Sequence, residues 1–343
     1  MALWVMIFLS LFVFSVGYSV QQKIRSARKI HARAVLRDAA GSAVEKVRAM
    51  VGDHNPSRRS WDGLADDWSQ SMADFRDIVV GEARCTVMKN PFVYRRFLEG
   101  DRSAVIEENA FGVIDEESKI NLNHVKDRKV LTRLFEKAAE LSSDQAVVAA
   151  DSILDFRDVD DHLNTSGAEK KYYQSLPVPY LPKDGDFHAL EELLYVRGID
   201  AETFKKVNAY LTVHGAPQVN INTTSEVVLA ALGFSRAFCD KIITYRKGRD
   251  QRLGSRDDQA FVSTEDIVEK LDDLGEMNDE EKNELRRQIQ SAGVGVVSRN
   301  FLVSVLAWYP GRSDALWVQS VISKSGLTRS WKEKYMALEK EKK

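Results

Sequence analysis

The residues best able to do chemistry lie together in one segment, DFRDVDDHLNTSGAEKKYY (155–173). Asp155, Asp158, Asp160, Asp161 and Glu169 place five carboxylates within fifteen residues. Calcium takes several hard oxygen ligands converging from a short, flexible loop. Counting Asp158 as the first loop position puts Asp160 third and Glu169 twelfth, an EF-hand-like spacing. Positions five and six are His162 and Leu163, where an EF-hand places an oxygen ligand and a glycine, so this loop is not an EF-hand. Two readings stay open on the residues alone: a structural calcium site, or a solvated acidic loop.

Little else points to catalysis. The chain has no G-x-S-x-G, no H-E-x-x-H and no phosphate-binding glycine loop. His31, His54, His124, His162, His188 and His214 are scattered, none beside a nucleophile at a recognisable spacing. An enzyme is not expected. A hydrolase using the Asp-rich loop remains a distant option for which no reaction class can be named.

A second candidate is VNINTTSEVVLAALGFSRAFCDKIITYRKGR (219–249), which has the pattern of a helix-hairpin-helix. That motif sets the backbone N–H groups of a glycine hairpin against a nucleic-acid phosphate. The hairpins here are LGFS and, in a preceding helix pair, VRGID, each with one glycine where phosphate binding usually uses two. A packing module is therefore preferred, and no nucleic-acid partner is expected. The alternative is a membrane-tethered DNA-binding protein of a competence-like system.

The elements that must position these residues follow from patterning. The first twenty residues, MALWVMIFLSLFVFSVGYSV, carry no charge, and a helix of about 20 residues spans the roughly 30 Å of a bilayer core. Leu3, Trp4, Val5, Ile7, Phe8, Leu11, Phe12 and Phe14 would face lipid. No basic residue precedes the apolar run and no small-x-small cleavage site follows it, unlike a secretory signal peptide. Helical patterning continues with a weak apolar stripe of Ile24, Ala27, Ala34, Val35, Val44, Val47 and Val51, predicting one helix to about Met50. Lys23, Arg25, Arg28, Lys29, Arg33 and Arg37 all follow the span, which by the positive-inside rule alone would put the body in the cytoplasm.

Beyond the helix, residues 53–72 read as a polar loop, and Ala83–Lys89 and Phe111–Asn123 as strands, the latter bent at the DEES tetrad. Residues 129–141 and 142–154 read as amphipathic helices, the second capped by Ser or Asp. Pro177, Pro179 and Pro182 mark an extended crossing. Helix pairs follow over ALEELLYVRGI with AETFKKVNAYLTV, and over EVVLAALG with RAFCDKIITYRKG. A last helical region runs to about Ala292, and residues 300–323 form two strands around a Pro-Gly turn. Strands split by a helical block indicate an α+β body with a large inserted helical domain. The divisions are 1–52 (membrane and stalk helix), 53–125 (body, first part), 126–295 (inserted helical domain with helix-hairpin-helix or SAM-like modules), 296–326 (closing β-hairpin) and 327–343 (polar tail). At 343 residues, 44% hydrophobic and 29% charged, the chain has ample material for this. Its net charge of -2 creates no global field for nucleic acid. Cys85 and Cys239 are too far apart in sequence for a zinc pair or a C-x-x-C site, and read as two buried thiols or, in an oxidising compartment, one bridge.

Five segments in this order resemble the type II secretion minor pseudopilin K family (general secretion pathway protein K). They are SWDGLADDW after the long helix; VIDEESKINLN, like that family's acidic-turn strand hairpin; and DFRDVDDHLNTSGAEKKYY, with Phe156 in place of the usual tryptophan. ALEELLYVRGID and YLTVHGAPQVNINTTSEVVLAAL match its paired helical modules. The resemblance implies a pseudopilin-type antiparallel sheet on a long N-terminal helix. It implies a tip subunit of the periplasmic pseudopilus, single-pass in the inner membrane with its body in the periplasm. The implied partners are the minor pseudopilins I and J, the major pseudopilin, the inner-membrane platform and a prepilin peptidase. Most pseudopilins have a glutamate at the fifth position, which the K family lacks; here the fifth residue is Val5. A basic leader of the kind the peptidase removes would offset the cations after the span. The resemblance also implies structural calcium, with Asp155, Asp158, Asp160 and Glu169 foremost as ligands.

Overall fold

The structure, a computed structural model, describes residues 2–52, 60–99 and 106–338. It opens with one helix, α1 (Ala2–Val51). A short α2 (Met72–Phe75), capped by Ser71, leads into a hairpin of β1 (Ile78–Val80) and β2 (Ala83–Val87), then α3 (Pro91–Leu98). The short strands β3 (Ile114–Asp115) and β4 (Ile120–Asn121) precede α4 (Arg128–Ala138), α5 (Ser143–Arg157), α6 (Lys170–Gln174) and α7 (Ala201–Val207). After β5 (Leu211–Thr212) and β6 (Val219–Asn220) come α8 (Glu226–Leu232), α9 (Arg236–Arg246), α10 (Ile267–Asp273) and α11 (Asp279–Ala292). The chain closes with β7 (Val294–Gly295), β8 (Asn300–Trp308), β9 (Asp314–Ser323) and β10 (Thr328–Ala337).

The main sheet is antiparallel in the order β1-β2-β8-β9-β10, with β3 also paired to β8. Its register sets Cys85 beside Ala307, and Ala307 beside Leu316. The second half of α1 lies on that face through Ala32, Leu36, Ala39, Ala40, Ala43, Val44, Val47 and Val51, all buried. These positions recur every three to four residues, as one face of a helix must. The alanines let the helix sit close on the sheet, with Cys85 Sγ 3.5 Å from the Ala39 carbonyl. The expected stripe was thus partly misplaced: Ala34 is exposed and Val35 half-buried, while Ile24 and Ala27 lie ahead of the body and are exposed. Alanine carries too little hydropathy for the true face to stand out.

The first half of α1 is different. It is exposed throughout, Leu3, Trp4, Val5, Ile7, Phe8, Leu11, Phe12 and Phe14 included. It is the one helix among the described residues long and apolar enough to cross a membrane, with a mean hydropathy of 2.1 over its richest window.

Between β3 and β8 the chain builds two further cores. One gathers Leu131, Leu134, Phe135, Ile153, Phe156, Tyr173 and Leu211; the other gathers Leu229, Phe238, Ile242, Phe261, Leu271 and Leu285. Ser142 and Gln145 form a reciprocal capping box that starts α5 where a capping residue was expected.

Several expectations are corrected. The VIDEESKINLN hairpin does not form: β3 pairs antiparallel with β8, whereas β4 pairs parallel with β5, so the segment passes from the sheet to the insertion. ALEELLYVRGI is a short 3-10 turn over Leu190–Tyr195, followed by Gly198 at φ +84°, where a Cβ would come within 3.3 Å of Val148 on α5. The expected polar tail from 327 is instead largely β10, so the closing element has three strands. Lys332 and Lys334 face solvent at a sheet edge, a pattern that discourages edge-to-edge association, while Trp331 and Tyr335 pack inward and Glu333 on their face pairs with Arg37. Residues 53–59 of the expected loop and 339–343 of the tail lie outside the described residues. Cys85 and Cys239 are both buried free thiols in different cores; burial pushes Cys85 up to about 12 and Cys239 to about 11.

Candidate metal centre

The acidic segment closes as a loop between the end of α5 and the start of α6. Asp155 lies in the last turn of α5, Asp158 is its C-cap, and Glu169 is the residue before α6. Phe156 anchors the junction, stacked 5.9 Å from Phe187 and edge-on 5.3 Å from Tyr173. The loop is drawn back onto α5 by several bonds. Asn164 donates through its backbone N–H and side-chain amide to Asp155 Oδ1, and Ser166 N donates to Asp151 Oδ2 at 3.0 Å. Arg197 Nη1 donates to the Gly167 carbonyl at 2.9 Å. At Gly167 a Cβ would overlap Asp155 Oδ2, so only glycine permits this approach.

The closure brings three of the five expected carboxylates together. Asp155, Asp158 and Glu169 each offer an oxygen within 4.8 Å of the others. Asp155 Oδ2, Asp158 Oδ1 and both Glu169 oxygens are buried without a hydrogen-bond partner. An ionised pair at such a distance repels by about 3 kcal/mol even at an effective dielectric of about 20. Arg157 relieves this only in part: its charge favours ionised Asp158, but its hydrogen bonds go to the carbonyls of Leu122 and Val125. Burial, followed by the charges of Asp155 and Asp158, pushes Glu169 up to about 7. Burial also raises Asp158, helped by Asp160 and Asp155, and burial raises Asp155. Orphaned, mutually repelling hard oxygens are what a cation-binding cradle presents, and the all-carboxylate donor set suits calcium better than a softer metal.

Asp160 and Asp161 are not part of this cluster. Both side chains are exposed, and Asp160 Oδ1 accepts from the backbone N–H of His162 and lies 2.8 Å from its ring Nδ1. Those hydrogen bonds hold Asp160 below the usual carboxylate range.

A second polar centre escaped the sequence reading. Asp115, Glu116 and Glu117, which read as an acidic turn, are all buried where the sheet meets the insertion. Asp115 Oδ2 accepts from Thr223 Oγ1 and Ser298 Oγ at 2.5 Å and from Asn220 Nδ2 at 3.3 Å, and Oδ1 accepts from Glu117 N at 2.8 Å. Glu117 accepts from the backbone of Ala216, Arg299 and Asn300 and from the Asn300 amide, at 2.8 to 2.9 Å. The one available signal was chemical: an acidic cluster in the same chain as the donor-rich NINTT.

The glycine hairpins are used for packing. Gly233, at φ +104°, caps α8 under Arg133, whose Nη1 donates to the Ala231 carbonyl at 2.9 Å. The hairpin N–H groups are consumed inside the chain: Gly233 by Ala230 O, Phe234 by Leu229 O, and Ser235 by Gln288 Oε1. These three N–H groups of the second hairpin are thus engaged within the chain.

The family model described as "Type II secretion system (T2SS), protein K" matches residues 118–216. The type II secretion system protein K of Pectobacterium carotovorum subsp. carotovorum is 31% identical over 96 residues, covering 27% of this chain and 29% of that protein. That of Aeromonas hydrophila is 35% identical over 94 residues, covering 26% and 28%. The chain thus spans less than a third of the length of these relatives in the matched regions. A chain in the crystal structure of the GspK-GspI-GspJ complex from enterotoxigenic Escherichia coli superposes with a TM-score of 0.58 at 16% identity, over 92% of this chain and 98% of that one. This chain is therefore similar to type II secretion protein K, in sequence across the β4–β5 helical module and in fold along nearly its whole length.

Proposed function

We propose that this chain is a structural minor pseudopilin, the tip subunit of a type II secretion pseudopilus. The carrying observation is the two-core helical insertion between β3 and β8. It makes the body too wide to repeat along a thin filament, yet suits a cap. The apolar half of α1 is read as a single-pass inner-membrane anchor, with the body in the periplasm. Its packed half carries the sheet, and its free face is left to pack beside other pseudopilin helices. The role is mechanical: the subunit joins its I and J counterparts, primes addition of the major pseudopilin on the membrane platform, and growth pushes folded proteins through the outer membrane. The apolar run carries no acid at any position, which suits a subunit with none above it, and a prepilin peptidase is the expected processing partner.

We propose further that Asp155, Asp158 and Glu169 hold a calcium ion. Calcium supplies the positive charge that these buried carboxylates lack, and so fixes the loop between α5 and α6.

The partner assignment is tested by co-expressing the tagged full chain with the I and J pseudopilins of the same genome and purifying from detergent-solubilised membranes. An equimolar ternary complex is expected. Recovery of this chain alone, while I and J associate with each other, would refute it.

A further inference from the structure

The cations that follow the apolar half of α1 fall into two sets. Arg33 and Arg37 belong to the body: the Arg33 guanidinium lies 4.5 Å from the Tyr335 ring centroid, and Arg37 Nε is 3.2 Å from Glu333. Lys23, Arg25, Arg28 and Lys29 are exposed, and no partner is recorded for them among the described residues. No Asp or Glu precedes Asp38, so nothing on the helix neutralises them. The first residue buried by the body is Ala32, which leaves residues 21–31 standing between the apolar half and the body.

The dimensions match a bilayer interface. Leu3 to Val20 spans about 27 Å of helix at about 1.5 Å per residue, close to the roughly 30 Å hydrocarbon core. The four free cations then occupy about 9 Å of axis, against a headgroup layer of about 5–8 Å per leaflet. At about 100° per residue they spread over more than half of the helix circumference. A single protein partner would meet cations on one face, whereas a surrounding layer of phosphates meets them on all.

We propose that Lys23, Arg25, Arg28 and Lys29 form a collar that binds the phosphate groups of anionic phospholipids in the leaflet facing the body, setting the depth of α1. This rests on the reading of the apolar half as membrane-spanning. It also gives the cations a role as lipid ligands rather than as topology signals.

The test uses the full chain in detergent, supplied with phosphatidylglycerol or phosphatidylcholine, with retained lipid counted by native mass spectrometry. Preferential retention of phosphatidylglycerol is expected. Arg25→Gln should weaken it about fivefold, and the combined Lys23→Gln, Arg25→Gln, Arg28→Gln and Lys29→Gln variant should lose the preference. Because all four side chains are exposed and only Lys29 borders the body, at the cleft lined by Asp314 and Tyr335, the variant's circular dichroism should match the parent's. Excess inorganic phosphate should leave the lipid bound; displacement by it would mark a simple anion site and overturn the proposal. Equal retention of both lipids, or undiminished preference in the combined variant, overturns it too. So does loss of a pseudopilin partner with lipid retention intact. Carbonate extraction separates the two claims: a protein washed off the membrane defeats the spanning reading, whereas an integral protein without the preference defeats the collar alone.

Discussion

Replacing Glu169 by glutamine should strengthen the calcium-free protein and weaken its response to calcium. In the folded chain, burial and the neighbouring charges of Asp155 and Asp158 push this carboxyl from its ordinary 4.5 to about 7. Keeping it ionised at neutral pH then costs on the order of 3 kcal/mol. Glu169 is only 7% exposed but lies close beneath the surface, so solvent screens part of this. The folded state holds the proton more tightly than the unfolded chain does. The contribution of this carboxyl to metal-free stability should therefore be full below about pH 4.5, fall as pH rises to about 7, and level off above that. Saturating calcium reverses the trend, because the metal requires the ionised form, and at a hundredfold excess over Kd it adds about 2.7 kcal/mol. Glu169→Gln removes the charge at nearly constant shape. In chelator near pH 7.5 it should be the more stable protein by roughly 1–3 kcal/mol, and the calcium gain should shrink. Denaturant unfolding of parent and variant from about pH 4 to about pH 8, with calcium or with chelator, reads all of this. A variant less stable than the parent in chelator, or a calcium response of undiminished size, would refute the reasoning.

Asp160→Asn and Asp161→Asn should leave the calcium-dependent gain in stability unchanged, since both side chains sit on the solvent side of the loop. Gly167→Ala should cost about 1–3 kcal/mol, because its Cβ meets both Asp155 and the Asp151 backbone, and it should abolish the calcium gain as the loop is forced off α5. Asp115→Ala should cost about 1–3 kcal/mol by taking away the acceptor of Ser298 and Thr223, while Asn220 keeps Ser298 Oγ and the Asp62 carbonyl. Hydrogen exchange should show the loss first at β6 and β7, where the second helical core joins the sheet.

The apolar helix was legible at once, since about twenty uncharged residues have few competing explanations. Its continuation was legible as a helix but not as a face: Ala32, Ala39, Ala40 and Ala43 pack by being small, which a hydropathy pattern does not register. The acidic segment could be located but not resolved. Asp158 and Asp160 have identical chemistry, and what separates them is the closure made by Asn164 and Gly167, seen only once the loop is folded. The DEES tetrad misled because its donors lie as much as 183 residues away, at Ser298 and Asn300; buried acids look like surface acids until their partners are found. Strand β10 was read as a tail because edge strands carry the charged residues that tails carry.

The account stands or falls most directly on a chromosomal deletion of this chain, scored for export of folded proteins and for pseudopili. A tip subunit predicts that export is impaired and that pseudopili are absent or abnormally long, with both restored by the intact chain. Normal export with normal pseudopili in the deletion strain would contradict it.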